Sequence, residues 1–193
     1  TAGRHPAVKL KWARDLQQPS RPAACLPPLE LILVRIAVIS HLKHPIAKPY
    51  CGGLEMFTHA FTAGLVARGH DVVLFASGDS DPQLPVEPLV RHSTMSTRFR
   101  GQATANHTQI EATEDRVYEQ LMKRLLEGGF DVVHNHSLNP IPLHYAQLLP
   151  MPMATTLHVP PLPRLVGELQ GMRPSGLFVN ISRSNARSWK HLL

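Results

Sequence analysis

Apolar residues along this chain fall into short dense runs separated by amphipathic stretches, the alternation expected of buried strands joined by helices. Residues 33–40 are apolar at nearly every position, which predicts a strand covered on both faces. From Gly53 the spacing changes. Leu54, Phe57, Phe61 and Leu65 recur at helical intervals, predicting a helix with an apolar stripe that stops near Gly69. Residues 71–76 predict a second strand, closed by the turn Ser77-Gly78-Asp79-Ser80. Residues 81–108 are the least regular, with Pro82, Pro85 and Pro88, and Leu89-Val90 predicts a short third strand. Residues 110–127 read as a helix with Tyr118, Leu121, Met122 and Leu125 on its apolar stripe and Gly128-Gly129 after it. Further strands are expected at 131–134, 153–157 and 177–181. Helices are expected at 139–149 and from Ser182 onward. No internal repeat is visible. Strands alternating with helices place the chain in the α/β class, as a doubly wound parallel sheet.

Length changes the picture little, because 193 residues suit one α/β domain with a sizeable core. Charge changes it more. The net charge is +6, and half of it comes from residues 1–30, which hold Arg4, Lys9, Lys11, Arg14 and Arg21 against Asp15 and Glu30. The rest is mildly basic without runs of like charge, which argues against a nucleic-acid partner. It leaves peripheral contact with anionic lipid, or a phosphorylated acceptor, open. Cys25 and Cys51 form no Cys-x-x-Cys, so neither a disulfide framework nor a zinc ribbon is expected. A reducing, cytoplasmic setting follows. The apolar stretch 29–39 is short and interrupted by Glu30 and Arg35, so it reads as a strand rather than a membrane span. The chain opens on Thr1, and residues 1–30 are rich in Pro and Arg without hydrophobic periodicity. They are expected to be a disordered tail or the product of an upstream start, since a secretory signal needs a continuous apolar core.

Two places carry candidate chemistry. Gly52-Gly53 stands between the first strand and its helix, where backbone can approach a phosphate and a helix N-terminus offers partial positive charge. His134-Asn135-His136 and His158 each follow an apolar strand run, at the carboxyl edge where open α/β sheets bind ligands. Alternate residues share a strand face, so His134 and His136 can act together.

The order and spacing of three stretches resemble a known family. These are Gly52-Gly53-Leu-Glu with its helix, Ala67-Arg-Gly-His-Asp-Val and Leu-Phe-Ala-Ser-Gly-Asp-Ser80; Phe130-Asp-Val-Val-His-Asn-His136; and Pro152-Met-Ala-Thr-Thr-Leu-His158 followed by Phe178-Val-Asn-Ile-Ser182. They resemble the N-terminal, acceptor-side domain of family 4 retaining glycosyltransferases of GT-B architecture, in which two Rossmann-like domains face each other across a cleft. The resemblance spans about residues 33–190. It implies a Rossmann-like domain over 31–193 and a C-terminal donor-binding half absent from this chain, which ends in an interrupted helix at 189–193. It implies transfer of a sugar from a nucleotide diphosphate sugar, a co-substrate, to a hydroxyl acceptor with retention, with no resident cofactor or metal. Such a half alone is expected to be inactive. By the resemblance, the Gly52 and Gly53 N–H groups lie beside the donor diphosphate, and His158 bonds the transferred sugar or positions the transition state. His134 and His136 line the acceptor pocket. Ser182 either caps the next helix or touches acceptor. Glu111 and Glu119 mimic the family's Glu-x7-Glu signature, which belongs to the other half, and are read as solvated helix charges.

Other readings stand beside it. A half-domain without catalysis that binds acceptor or a partner suits the abrupt end. A metal-dependent hydrolase could use His134, His136 and His158, though no carboxylate motif completes a metal site. A nicotinamide-type binder could use Asp79 after the second strand, but the first loop lacks Gly-x-Gly-x-x-Gly.

Overall fold

The computed structural model describes residues 33–95, 107–171 and 174–193. The tail expected at 1–30 lies outside these residues. The element order is β1 (Arg35–Ile39), α1 (Gly53–Ala67), β2 (Asp71–Ser77), β3 (Val86–Val90), α2 (His107–Leu126), β4 (Val132–Asn135), α3 (Pro140–Tyr145), β5 (Met153–Leu157), α4 (Pro163–Gly171), β6 (Leu177–Asn180) and α5 (Arg183–Trp189). The strands form one sheet in the order β3-β2-β1-β4-β5-β6, and every pairing is parallel. This is the Rossmann-like doubly wound sheet that the alternation of elements predicts. The strand order reverses between β1 and β4, which pair from Ile36↔Val132 to Ile39↔Asn135. That reversal opens a crevice at the carboxyl ends of these two strands.

Side-chain alternation splits the core into two layers. Ala37, Ile39, Phe75, Val133, Met153 and Leu157 pack on one face with Tyr118, Met122 and Leu125 of α2, Leu143 of α3, Leu165 of α4 and Trp189 of α5. Ile36, Val38, Val72, Leu74 and Ala76 pack on the other with Phe61 and Leu65 of α1. Tyr118 reaches through its layer to donate to the Ser40 carbonyl at 2.8 Å, which pins the end of β1 from below. Trp189 is fully buried and donates to the Val159 carbonyl at 2.9 Å, tying α5 to the end of β5.

Local signals explain most boundaries. Gly69 ends α1 with φ +85°, a conformation that side chains with a Cβ resist, and its N–H bonds the Val66 carbonyl at 2.9 Å. Asn139 caps α3 by accepting from Ile141 N–H, with Pro140 at the first helical position. Three expectations differ from the structure. The third strand starts earlier, at Val86. The helix expected at 139–149 covers only Pro140–Tyr145. The helix α4 was not foreseen, because Pro160, Pro161 and Pro163 read as loop, and Gly167 interrupts a stripe of only Leu165 and Leu169.

The stripe expected for α1 also needs correction. Its fully buried positions are Glu55, Thr58 and Thr62, while Met56 is 55% and Phe57 39% exposed. Two of these polar residues find a local solution, while the Thr58 hydroxyl is buried without a partner among the described residues. Thr62 Oγ1 donates to the Thr58 carbonyl at 2.8 Å, and Glu55 pairs with His41. The freed aromatic face turns toward the histidines of β4 and β5.

Candidate functional site

The carboxyl ends of β4 and β5 bring three histidines together. His134 and His136, two residues apart on β4 and its exit, stack with ring centroids 4.3 Å apart. His134 Nε2 lies 2.8 Å from Thr156 Oγ1 on β5. His136 Nδ1 lies 2.8 Å from Nε2 of His158, just past β5. Phe57 stands edge-on to His158 at 5.1 Å, and Phe61 packs against both His134 and His136. The sheet register makes this meeting obligatory, since His134 pairs with Ala154 and the next same-face positions follow in step.

Burial decides the charge state of the group. It pushes the His134 and His158 imidazoles down from the ordinary 6.5 to about 4, and the His136 imidazole well below its ordinary value. All three are therefore neutral near pH 7. They act as fixed hydrogen-bonding groups rather than as cations.

The second feature is the first turn of α1. Gly52 stands before the helix in extended backbone, φ −166°, with no side chain to cap the turn. Its carbonyl accepts from Met56 N–H, Gly52 supplies no capping side chain, and the Glu55 carboxylate takes up its own backbone N–H in the first turn. Glu55 lies beneath this turn, with His41 Nε2 2.9 Å from its Oε1, both side chains less than a tenth exposed. The His41 contact, opposed by desolvation, brings the Glu55 carboxyl down to about 2. His41 Nδ1 accepts the Lys43 N–H at 3.1 Å, which leaves Nε2 as the ring nitrogen beside Glu55.

Two clefts meet at His158. The larger, about 660 Å³, runs from Gly52, Gly53 and Glu55 past Met56, Phe57 and Ala60 to His158, Val159 and Ile181. Its walls are apolar apart from Glu55 and His158. The smaller, about 280 Å³, is lined by His158, Pro160, Ile181, Ser182, Ser184, Asn185 and Ser188, and is rich in hydroxyls. Gly52, Gly53 and His158 are thus brought to one cleft, and His158 and Ser182 to its neighbour. Ser182 caps α5, accepting from Asn185 N–H at 3.1 Å, as one of its two expected roles requires. His136 is wholly buried and His134 half-buried, and neither lines these clefts.

The residues behind the other readings are occupied differently. Among the described residues no group of three or more His, Cys, Asp or Glu side chains is arranged to hold a metal ion. Two of the nitrogens a metal would need, on His136 and His158, are bonded to each other. The Asp79 carboxylate accepts from both the backbone and hydroxyl of Ser93 at 3.0 Å, which fastens a loop instead of presenting the acid to a ribose. Glu119 pairs with Lys123 across one helical turn, while Glu111 is less solvated than expected and lies 3.8 Å from Arg164. Cys51 is exposed and free. Among the described residues no helix is long and apolar enough to cross a membrane.

Sequence reasoning missed His41, Glu55 and the two phenylalanines. A signal existed for Glu55, because an acid three residues after a helix cap is a common N-terminal device. None existed for His41, whose partner is fixed only by the return of α1 over β1.

The comparisons with known proteins agree with this geometry. The sequence model of Glycosyltransferase Family 4 matches residues 51–179, two thirds of the chain, from the Gly52-Gly53 turn through β6. Comparison with curated proteins finds no match. The matched span contains the Gly52-Gly53 turn and all three site histidines on an all-parallel Rossmann-like sheet, and on this ground the chain belongs to glycosyltransferase family 4, as its N-terminal domain.

Proposed function

We propose that this domain forms the acceptor side and part of the reaction centre of a retaining hexosyltransferase, which moves a sugar from a nucleotide diphosphate sugar to a hydroxyl acceptor. The observation that carries the reading is the single cleft joining the first turn of α1 to His158 at the carboxyl edge of the sheet. The N–H groups at Gly52-Gly53 suit an anion, and absence of a Cβ at Gly53 leaves open space beside them. His158, neutral and held by His136, suits a hydrogen bond to the transferred sugar. Fixed dipoles of this kind hold the sugar and phosphoryl oxygens in place as charge redistributes, without reorganising. Ser182 uses a lone pair in capping and keeps its proton to donate to an acceptor hydroxyl. His134 and His136 enter as the wall behind that acceptor.

One electrostatic feature sets a requirement. Glu55 is the one ionised side chain lining the larger cleft, and it offsets part of the positive end of α1. A diphosphate there needs cations from elsewhere. In this reading they come from a second, donor-binding domain facing the cleft, and the described residues alone bind donor weakly and turn over little. The nucleotide sugar is a co-substrate, and no resident cofactor or metal is required. A cytoplasmic setting with contact to an anionic membrane surface belongs to the same proposal and rests on the free Cys51 and the mild basicity.

The test uses the longest natural chain carrying this domain, with a panel of nucleotide diphosphate sugars and hydroxyl acceptors. Product NMR is expected to show retained anomeric configuration. His158→Ala is expected to lower kcat roughly 100-fold, the size seen when one transition-state hydrogen bond is removed, while loss of the buried partner of His136 costs about 1–3 kcal/mol of stability. Inversion at the anomeric carbon, or an unchanged kcat, would overturn the reading.

A further inference from the structure

The bond between His136 Nδ1 and His158 Nε2 holds one proton between two neutral rings, and its direction decides what His158 offers a ligand. If the proton belongs to His158 Nε2, then His158 Nδ1 is a bare lone pair and His136 carries its own proton on Nε2. If the proton belongs to His136 Nδ1, the roles reverse. His158 then carries its proton on Nδ1, and His136 Nε2 is the bare atom.

The surroundings of His136 separate these cases. Its ring is completely buried, between the stacked His134 ring and the rings of Phe57 and Phe61. Among the described residues its Nε2 has no hydrogen-bond partner. A buried N–H left without an acceptor is rarer in folded proteins than a lone pair left without a donor. The stranded atom is therefore the lone pair, and the proton of His136 resides on Nδ1. That proton is donated to His158 Nε2. The neutral His158 ring, with Nε2 accepting, must carry its own proton on Nδ1. Among the described residues nothing bonds Nδ1 of His158, and the ring lines both clefts.

We propose that His136 is a positioning residue that fixes His158 in the Nδ1–H tautomer, so that His158 presents a hydrogen-bond donor, and not a base, at the junction of the two clefts. The ligand atom it suits is an oxygen with free lone pairs, such as a sugar hydroxyl or a phosphoryl oxygen. His134 steadies the arrangement by stacking on His136 while its own Nε2 engages Thr156. The functional consequence rests on the reading of His158 as a ligand-facing residue, whereas the tautomer itself does not.

The experiment is nitrogen NMR of the 193-residue chain labelled with 15N-histidine near pH 7, where bare and protonated ring nitrogens are resolved. The expected spectrum shows Nδ1 protonated and Nε2 bare in both His136 and His158. A protonated Nε2 in either ring overturns the proposal. Two variants test the positioning role. His136→Asn retains an amide N–H close to where Nδ1 stands and is expected to keep the His158 Nδ1–H tautomer. His136→Leu removes the donor and is expected to leave His158 in a mixture of both tautomers. If His158 keeps one tautomer in a folded His136→Leu chain, the positioning role is wrong. Should His136→Leu fail to fold, the wild-type and Asn spectra still decide. Nucleotide sugars added to the longest natural chain carrying this domain, labelled in the same way, read the other question. A confirmed tautomer with no response of His158 Nδ1 to any sugar or phosphate leaves the inference standing and removes the proposed function instead.

Discussion

Lowering the pH from about 7.5 to about 5 is expected to destabilise this domain severely, through the three histidines of β4 and β5. In the unfolded chain each takes up a proton near 6.5, whereas in the fold His134 and His158 resist protonation down to about 4 and His136 resists further. Between these values the unfolded state binds more protons, so stability falls as pH falls, is fully present above about 6.5 and is lost through about 4. At pH 5 the unfolded ring is almost fully charged and the folded ring almost fully neutral. With 1.36 kcal/mol per unit of pKa, His134 and His158 each contribute about 2 kcal/mol of lost stability, about 4 kcal/mol together, and His136 adds to this in the same direction. A loss of that size is comparable to the total stability of many domains, about 5–15 kcal/mol. Carboxylates with lowered values, such as Glu55, titrate below this window and do not blur it. The assay is urea unfolding followed by far-UV circular dichroism. For an m-value of about 2 kcal/mol/M the midpoint drops by at least about 2 M. His134→Gln, whose amide keeps a polar contact to Thr156, removes one titrating ring and cuts the loss by about 2 kcal/mol. Equal midpoints at the two pH values, or an undiminished loss in His134→Gln, would refute the assignment of buried neutral imidazoles.

Other substitutions probe the surrounding framework. Glu55→Ala removes the ion-pair partner 2.9 Å from buried His41 Nε2 and should cost about 1–3 kcal/mol in urea unfolding at pH 7.5; a loss below about 0.5 kcal/mol speaks against the pair. Gly53→Ala meets nothing within 4 Å in the fold, so thermal melting should be unchanged while donor affinity falls, as read by calorimetry; unaltered affinity removes Gly53 from the donor site. Gly176→Ala combines φ +87° with a Cβ driven onto the Met153 carbonyl oxygen, and should cost at least about 2 kcal/mol or prevent folding, as seen by circular dichroism.

The sheet was legible because its strands are buried on both faces and bounded by glycine turns. The positions of β1, β2, β4 and β5 follow from density of apolar residues alone, and parallel pairing follows from the intervening helices. The functional edge was legible in the same way. His134, His136 and His158 each come at or just beyond the end of an apolar run, and strand ends in such sheets share one edge. The contacts among them were not legible. The His136–His158 bond depends on the register of β4 against β5, in which residues 22 apart in sequence become neighbours, and no local pattern encodes that offset. The face of α1 misled for a related reason. Phe57 and Phe61 have helical spacing and apolar side chains, so they read as core. In the fold Phe57 is exposed and stands against His158, Phe61 packs both on the core and on His134, and Glu55 and Thr62 take buried positions through the His41 contact and a hydrogen bond within the helix. Prolines concealed α4, whose short stripe gains meaning only from the α2–α3 surface it covers.

The central claim is that His158 and the Gly52-Gly53 turn face a sugar-bearing anion in one cleft. The most direct measurement follows the His158 ring resonances, in the longest natural chain carrying this domain labelled with 15N-histidine, during titration with nucleotide diphosphate sugars. Exposed His144, held by Glu168 on α4, serves as the internal control. The account predicts that at least one such sugar shifts His158 in a saturable way, leaves His144 unmoved, and loses most of its effect in Gly53→Ala. A His158 ring that responds to no nucleotide sugar at millimolar concentration, or that shifts no more than His144, would contradict it.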